Sequence, residues 1–304
     1  MNLRLLLAFF AAAAVLISAP FAADRHAARA STLQACGEDN IPLPSTDARR
    51  VGGDVVGVTA LGTWGTSACV LRDRLSFAVK RSRDRFSRGG VIRSIRGNPA
   101  TKIVNVVLKP GSVLVYSWRW RNWCGAGGHF TLQARWSGLA YIAPSQTVKP
   151  PTCTSKHSSS TLSKKRPSIT TCSAAAYRVT TDLGQPFLTR LIDLVLLTLR
   201  KRHLPCLLRH LHISFAVQGQ SNGNWMTLSQ IEGNPGKRTV GTMLTQSGGF
   251  DVFWAWFNWC GGGNRFRAFA KVGTRTVAGP TWTQGATCQD PQAPSTLTPS
   301  YGHL

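Results

Sequence analysis

Acidic residues are scarce in this chain of 304 residues, which has 12 Asp and Glu against 36 Lys and Arg and a formal net charge of +24. Such an excess of positive charge attracts nucleic acid, acidic lipid or acidic polymers without distinguishing among them. Charged residues of both signs make up only 16% of the chain and hydrophobic residues 43%. This balance excludes general disorder, because enough apolar surface can be buried to offset the entropy of ordering.

The chain also lacks a hydrophobic run of the roughly 20 residues that a transmembrane helix needs. Its longest run, Leu5 to Ile17, follows Arg4 and leads to small residues, with Ala22 or Ala28 to Ala30 as candidate cleavage sites. This arrangement is typical of a secretory signal peptide. We therefore predict that residues 1–30 direct export and that the mature chain, without a transmembrane segment, is secreted or held in the cell envelope.

An internal repeat organises the remainder of the chain. The sequence Asn-Trp-Cys-Gly occurs at Asn122–Gly125 and again at Asn258–Gly261, 136 residues further on, and Gly-Asn-Pro recurs at the same offset. Two copies of this length predict two globular domains, because the repeats of a solenoid are far shorter. We place the boundaries at 1–30 for the signal peptide, 31–162 for domain 1, 163–168 for a basic linker, 169–297 for domain 2 and 298–304 for a tail.

The eight cysteines divide equally between the copies, as Cys36, Cys69, Cys124, Cys153 and then Cys172, Cys206, Cys260, Cys288. An even number of cysteines in an exported chain predicts disulfides. Four cysteines allow three pairings, among which the sequence alone does not choose; we favour first with second and third with fourth. A metal site is disfavoured, since neither copy has a C-x-x-C pair and no histidine is matched between copies.

Cys36 has a second interpretation. Leu33–Cys36 resembles the cleavage box of a bacterial lipoprotein, in which this cysteine would become the lipidated N-terminus. The box normally adjoins the apolar run, however, and Gln34 is an unusual residue inside it. We therefore favour the disulfide.

Alternation of apolar and polar residues predicts strands in both copies. Ser112–Trp120 and Phe130–Trp136 alternate in the first copy, and Phe250–Asn258 and Phe266–Val272 repeat the pattern in the second. About seven short strands per copy, without a long amphipathic helix, predict an all-β fold of two tandem antiparallel, immunoglobulin-like β-sandwiches. Residues 187–212 depart from this symmetry, because they are Leu-rich and basic. There we predict a helix over Leu188–Arg200 and hypothesise divergence through a local change of reading frame.

Four tryptophans are candidate ligand-binding residues. Trp118 and Trp120, like Trp254 and Trp256, lie two residues apart on predicted strands, so each pair faces one side of its sheet. An exposed row of rings would stack against sugars. A buried row would form the sandwich core, which is the interpretation we favour because aromatic rings bury large areas.

Two further groups of residues are candidates for binding. Asn122 and Asn258 precede the shared Trp-Cys and are predicted to hold a turn, while the glycines after each cysteine offer backbone N–H groups to a ligand. The basic run 72–96 is a candidate surface for nucleic acid or anionic wall polymers and contains Arg81, Arg83 and Arg85. The alternative for this run is an ordinary solvated surface.

The residues that the copies share are those of folding, namely Cys, Trp, Gly, Pro and a closing Ser-Thr-Leu. Along the offset of 136 no acidic residue meets another, so no general acid and base pair is duplicated. We predict a non-enzymatic binding module without cofactor or metal and without a specific nucleic-acid motif. The alternatives are a binder of carbohydrate or anionic cell-wall polymer that uses the Trp rows and the basic face, and an extracellular hydrolase.

Both copies resemble a domain of unknown function that is common in exported proteins and lipoproteins of high-GC bacteria. Its pattern is two early cysteines, a Pro-Gly turn before an alternating strand, the motif W-x-N-W-C, and a closing cysteine followed by Pro-Ser-Thr-Leu. In the first copy the corresponding residues are Cys36, Cys69, Pro110–Gly111, Trp120–Cys124 and Cys153–Leu162. In the second copy they are Cys172, Cys206, Trp256–Cys260 and Cys288–Leu297. The second copy lacks the Pro-Gly turn. The resemblance implies a disulfide-containing β-sandwich outside the cytoplasm and implies no activity.

Overall fold

The computed structural model describes residues 33–300, except residues 38, 43, 83–88, 144, 188–189, 247 and 264. The predicted signal peptide therefore lies outside the described residues. Twenty β-strands and one 3-10 turn, Ala174–Ala176, make up the regular structure of the described part. No helix in that part has the length and apolar character needed to cross a membrane.

The first copy folds into two antiparallel sheets. Its strands are β1 (Ser45–Val51), β2 (Asp54–Gly62), β3 (Cys69–Ser82), β4 (Gly90–Val91), β5 (Ala100–Leu108), β6 (Val113–Arg121), β7 (His129–Trp136), β8 (Tyr141–Ile142), β9 (Gln146–Val148) and β10 (Thr161–Lys165). One sheet has the order β1-β2-β6-β10. The other has the order β4-β3-β7-β8, with β5 paired to β3 and β9 paired to β7.

The second copy repeats this arrangement. Its strands are β11 (Tyr177–Phe187), β12 (Arg190–Leu199), β13 (Cys206–Ser221), β14 (Asn224–Thr227), β15 (Ile231–Glu232), β16 (Gly236–Leu244), β17 (Phe250–Phe257), β18 (Phe266–Val272), β19 (Arg275–Trp282) and β20 (Ser295–Ser300). The sheets have the orders β11-β12-β17-β20-β15 and β14-β13-β18-β19, with β16 paired to β13. In each copy the inner faces of the two sheets enclose a separate hydrophobic core. The predicted all-β, disulfide-containing sandwich fold is confirmed.

The predicted helix over Leu188–Arg200 is wrong. The described part of this segment forms β12, which is hydrogen-bonded on both sides, to β11 and to β17. Its side chains follow the strand period, since Leu191, Val195 and Leu197 all lie in the core. Pairing with two neighbouring strands therefore overrides the helical preference of a leucine-rich segment.

All eight cysteines form disulfides, in the order first with second and third with fourth in each copy: Cys36–Cys69, Cys124–Cys153, Cys172–Cys206 and Cys260–Cys288. This is the pairing that we favoured. The bond to Cys69 uses the Cys36 thiol that lipid attachment would require. Cys206 occupies the role of Cys69 even though it lies in the divergent segment.

Two predicted boundaries differ from the strand ends. Strand β10 continues to Lys165, into the predicted linker, where Lys165 pairs with Ser117 of β6. Strand β20 likewise continues to Ser300, into the predicted tail.

The two copies pack directly against each other. Ala60 and Val113 of the first copy form a small apolar cluster with Leu207 and Met243 of the second. Trp64 enters the core of the second copy, where its ring lies 6.2 Å from that of Phe250. These contacts place strands β2 and β6 of the first copy beside strands β13 and β16 of the second.

Backbone hydrogen bonds strengthen this junction. The Gly241 N–H donates to the Thr63 carbonyl at 2.7 Å, and the His210 N–H donates to the Gly111 carbonyl at 2.8 Å. His210 lies in a β-bulge of β13, between Leu208 and Leu211, and has a positive φ of 49°. The bulge turns backbone groups of β13 away from β16 and toward the first copy.

Candidate anion-binding cleft

The tryptophan rows do not form a surface for ligands. Trp118 and Trp120 are 1% exposed, and Trp254 and Trp256 are 0% exposed. Trp118 stacks on Phe77 inside the sandwich with ring centroids 5.4 Å apart. The alternation of these strands placed the rows correctly on one face, but that face is the core. All four rings belong to the sandwich core, which is the interpretation that we favoured, and the alternative of an exposed row that stacks against sugars is wrong.

Asn122 and Asn258 hold the loops that carry the closing disulfides. Both have a φ of 52° and are 7% exposed. The Asn258 side-chain oxygen accepts the N–H groups of Gln289 and Asp290 at 2.8 and 3.0 Å, and its amide donates to the carbonyls of Asp290 and Ala293. Asn122 makes the equivalent bonds to residues 154, 155 and 158. These amides hold the loops, as we predicted from the sequence.

Replacing Asn258 by alanine is expected to lower the free energy of unfolding by about 2 to 4 kcal/mol, because several buried backbone groups lose their partner. Denaturant unfolding of the oxidised chain measures this loss. Asn258→Gly tolerates the positive φ but also lacks the amide, so it should recover only the part of this loss that comes from backbone strain in Asn258→Ala. The exposed Asn224 supplies the control, Asn224→Ala, for which we expect less than about 0.5 kcal/mol. An equally small loss for Asn258→Ala would contradict the assigned role.

The basic run gives one described candidate, Arg81, whereas Arg83 and Arg85 lie outside the described residues. The Arg81 guanidinium donates to the Gly127 carbonyl at 2.6 Å and lies 5.9 Å from the Phe130 ring. It therefore fixes the glycine loop of the first copy while remaining exposed. The run stays a candidate anion-binding surface.

One pair of acids is duplicated after all. Asp47 lies opposite Val58 in the first copy and Asp182 lies opposite Leu194 in the second, and these partner positions are equivalent. The offset between the acids is one residue shorter than 136, which hid the match. Burial raises the pKa of Asp47, whereas the Asp182 carboxylate accepts a hydrogen bond from the Trp282 indole at 3.0 Å. The environments of the two acids differ.

A cleft of about 480 Å³ lies at the junction of the two copies. The first copy contributes Gly65, Thr66 and Pro110 to its wall. The second contributes His212, Ile213, Ser214, Lys237, Arg238, Thr239, Lys271 and Gly273. We call this the junction cleft. Neither copy encloses it alone, so it exists only where the repeats pack together.

Three adjacent strands bring two lysines together at the junction cleft. Ser214 on β13 lies opposite Lys237 on β16 and opposite Lys271 on β18. Neighbouring strands are about 4.8 Å apart, so the two lysines flank the serine at about 10 Å from each other along the sheet. Both lysines are exposed. Their ammonium groups can converge on one anion above the serine hydroxyl.

One more basic group lies on the same wall, where the His212 ring nitrogen Nδ1 lies 3.0 Å from the Thr239 hydroxyl. Arg238 follows Lys237 on β16 and points to the opposite face, because successive side chains of a strand alternate. Its side chain is only 4% exposed, and its guanidinium lies 5.3 Å from the Trp64 ring in the core of the second copy. The described residues that line the cleft include no carboxylate. The wall therefore presents a field that favours negative charge.

The sequence offered no local signal for this cleft. Lys237 and Lys271 belong to separate strands and meet only because β16 and β18 pair with the same strand, β13. The first copy has Thr101 and Arg135 beside Ser76 in the equivalent row. The pair of lysines is therefore specific to the second copy, and a search for shared residues passes over it.

Comparison with known proteins adds no assignment to this site. No protein-family model matches the chain. No curated protein matches it either. The resemblance to a bacterial domain of unknown function thus stays a prediction.

Proposed function

We propose that the mature chain is an exported, non-enzymatic binding module that holds an anionic ligand, such as an acidic cell-surface polysaccharide, in the junction cleft. The observation that carries this proposal is the pair of exposed lysines, Lys237 and Lys271, on the wall of a cavity of about 480 Å³. Four disulfides support export, because such bonds persist in oxidising compartments.

The dimensions and the chemistry of the junction cleft suit a ligand with separated negative charges. Its volume falls in the range of about 300 to 1,000 Å³ that ligand pockets have. Lysine ammonium groups are flexible donors that bind carboxylate, sulfate or phosphate without demanding one geometry. A net charge of +24 further steers long polyanions toward the chain. An acidic polymer satisfies both the local and the overall charge.

Replacing both lysines by glutamine, in the double variant Lys237→Gln and Lys271→Gln, is expected to weaken binding of dextran sulfate and polygalacturonate at least tenfold. Fluorescence anisotropy with labelled polymers at about 0.15 M salt measures the affinities. Labelled neutral dextran measures any binding that does not depend on the charge of the polymer. Raising the salt to about 1 M shortens the screening length from about 8 to 3 Å and should abolish most of the wild-type binding.

A second double variant, Arg135→Gln and Lys164→Gln, removes the same charge from β7 and β10 in the first copy, outside the basic run 72–96, and serves as the matched control. We expect it to weaken binding less than threefold. Equal losses in the two variants would show that net charge attracts the polymers without any specific role of the junction cleft. Wild-type binding that persists at high salt would likewise contradict the proposal.

A further inference from the structure

A second cavity, of about 430 Å³, lies within the second copy, where the β13–β14 hairpin meets the glycine loop that follows Cys260. Its wall consists of Gly219, Gln220, Ser221, Met226, Thr227, Leu228, Ser229, Gln230, Gly262, Gly263, Arg265 and Phe266. We call it the hairpin pocket. It shares no lining residue with the junction cleft.

The hairpin pocket differs from the junction cleft in its chemistry. Its polar side chains are hydroxyls and amides, supplied by Ser221, Thr227, Ser229, Gln220 and Gln230. Each of these groups both donates and accepts hydrogen bonds. Arg265 is the one charged side chain among the described lining residues. The pocket therefore offers no strong field for a polyanion.

Apolar walls accompany these polar groups. Leu228 is half-buried, and Phe266 is 2% exposed and belongs to the core of the second copy. Met226, in contrast, is 60% exposed beside the hydroxyls. A surface of this mixed character matches a ligand that has both C–H faces and hydroxyl groups.

The glycine loop is held firmly at its base. The Cys260–Cys288 disulfide and the Asn258 amide anchor its start, and the Gln220 N–H donates to the Arg265 carbonyl at 3.1 Å. A Cβ atom placed on Gly262 would meet no atom within 4 Å. The open space beside Gly262 leaves the backbone accessible to a ligand.

The neutral character of the pocket belongs to the second copy. The equivalent stretch of the first-copy sequence, Arg81–Arg88, has four arginines, whereas Gly219–Met226 has none. The two copies thus differ at this place between a basic sequence and one rich in amides and hydroxyls. This divergence is expected if the two stretches serve different ligands.

We propose that the hairpin pocket binds a neutral saccharide unit. Sugar hydroxyls would pair with the amide and hydroxyl groups, while the C–H face of the ring would lie against Leu228 and Met226. This proposal is independent of the anion site, because neither lysine of the junction cleft lines the hairpin pocket.

Isothermal titration calorimetry of the oxidised mature chain with cellohexaose, maltohexaose and chitohexaose tests the proposal. We expect at least one of them to bind, with the same affinity at about 0.15 M and about 1 M salt, because the contacts are uncharged. The double variant Lys237→Gln and Lys271→Gln should keep this affinity. Absence of binding by all three saccharides, or its loss at high salt, would overturn the proposal.

Gly262→Leu is expected to weaken saccharide binding at least tenfold by filling the pocket. Ala126 occupies the equivalent position in the loop of the first copy, so Ala126→Leu is the matched control and should leave the affinity unchanged. If Gly262→Leu unfolds at a lower temperature than the control, Gln230→Ala replaces it and should weaken binding in the same direction. Unchanged affinity in a folded pocket variant would contradict the assignment.

Discussion

Replacing Gly241 by valine is expected to separate the two repeats and to lower the free energy of unfolding by at least about 3 kcal/mol. A Cβ atom at this position would collide with the carbonyl oxygens of Gly111 and Ser112 in the first copy. These are backbone atoms, which have no alternative rotamer with which to yield. Gly62 meets the Gly241 carbonyl in the same way from the other side.

Differential scanning calorimetry should show this separation directly. We expect one transition in the wild-type chain, because the repeats share the apolar cluster of Ala60, Val113, Leu207 and Met243. The Gly241→Val variant should show two transitions, the first at a lower temperature. It should also lose the binding of anionic polymers, since the junction cleft needs walls from both copies.

Asn105→Val is the matched control. Asn105 occupies on β5 the position that Gly241 occupies on β16, but its side chain is exposed and meets no second copy. We expect this control to change the free energy of unfolding by less than about 0.5 kcal/mol. A single, unshifted transition in Gly241→Val would show that the close approach of the backbones is not required.

The alternating strands and the grouping of cysteines could be predicted because both depend on local pattern and on the duplication. The face that each strand buries was harder to predict. Trp118 and Trp120 share a face in either interpretation, and only the second sheet of the sandwich decides that this face is the core. The helix predicted over Leu188–Arg200 was wrong for a related reason. Pairing with the neighbouring strands β11 and β17 imposes the strand there, against the helical preference of the segment's own residues.

The candidate sites could be predicted less well than the fold. Lys237 and Lys271 meet through strand order, which the sequence does not state. The hairpin pocket depends on the distance between a hairpin and a loop about forty residues further on. Shared residues such as Asn122 and Asn258 turned out to stabilise the loops. Both proposed sites lie at positions that differ between the copies, so a search for shared residues passes over them.

Asp193 has no acidic counterpart in the first copy. Replacing it by asparagine is expected to raise the free energy of unfolding by about 2 to 4 kcal/mol at pH 8. Asp193 is 0% exposed on β12, and neither of its carboxylate oxygens has a hydrogen-bond partner. The equivalent residue of the first copy is Gly57, which lies opposite Trp118 as Asp193 lies opposite Trp254. The second copy thus buries a carboxyl group where the first has no side chain.

The stability gained through Asp193→Asn should increase as the pH rises. Burial, reinforced by the nearby Asp182 carboxylate, raises the pKa of Asp193 well above its ordinary value of 3.8. Below pH 3.8 the carboxyl group of Asp193 is protonated in both the folded and the unfolded chain, so it adds no pH dependence to the free energy of unfolding there. As the pH rises toward the pKa of the folded state, only the unfolded chain releases the proton, and stability falls by about 1.4 kcal/mol per pH unit.

Urea unfolding of the wild type and of Asp193→Asn between pH 4 and pH 8 measures this slope as the difference between the two curves. The curves should meet near pH 4 and diverge as the pH rises, because the variant has no carboxyl group at this buried position to ionise. The exposed Asp39 supplies the control, since Asp39→Asn should run parallel to the wild type. Parallel curves for Asp193→Asn would mean that its carboxyl group finds water or a cation in the folded state. Divergence would show instead that the second repeat tolerates an uncompensated acid in its core, and would make Asp193 the first position to change when stabilising this protein.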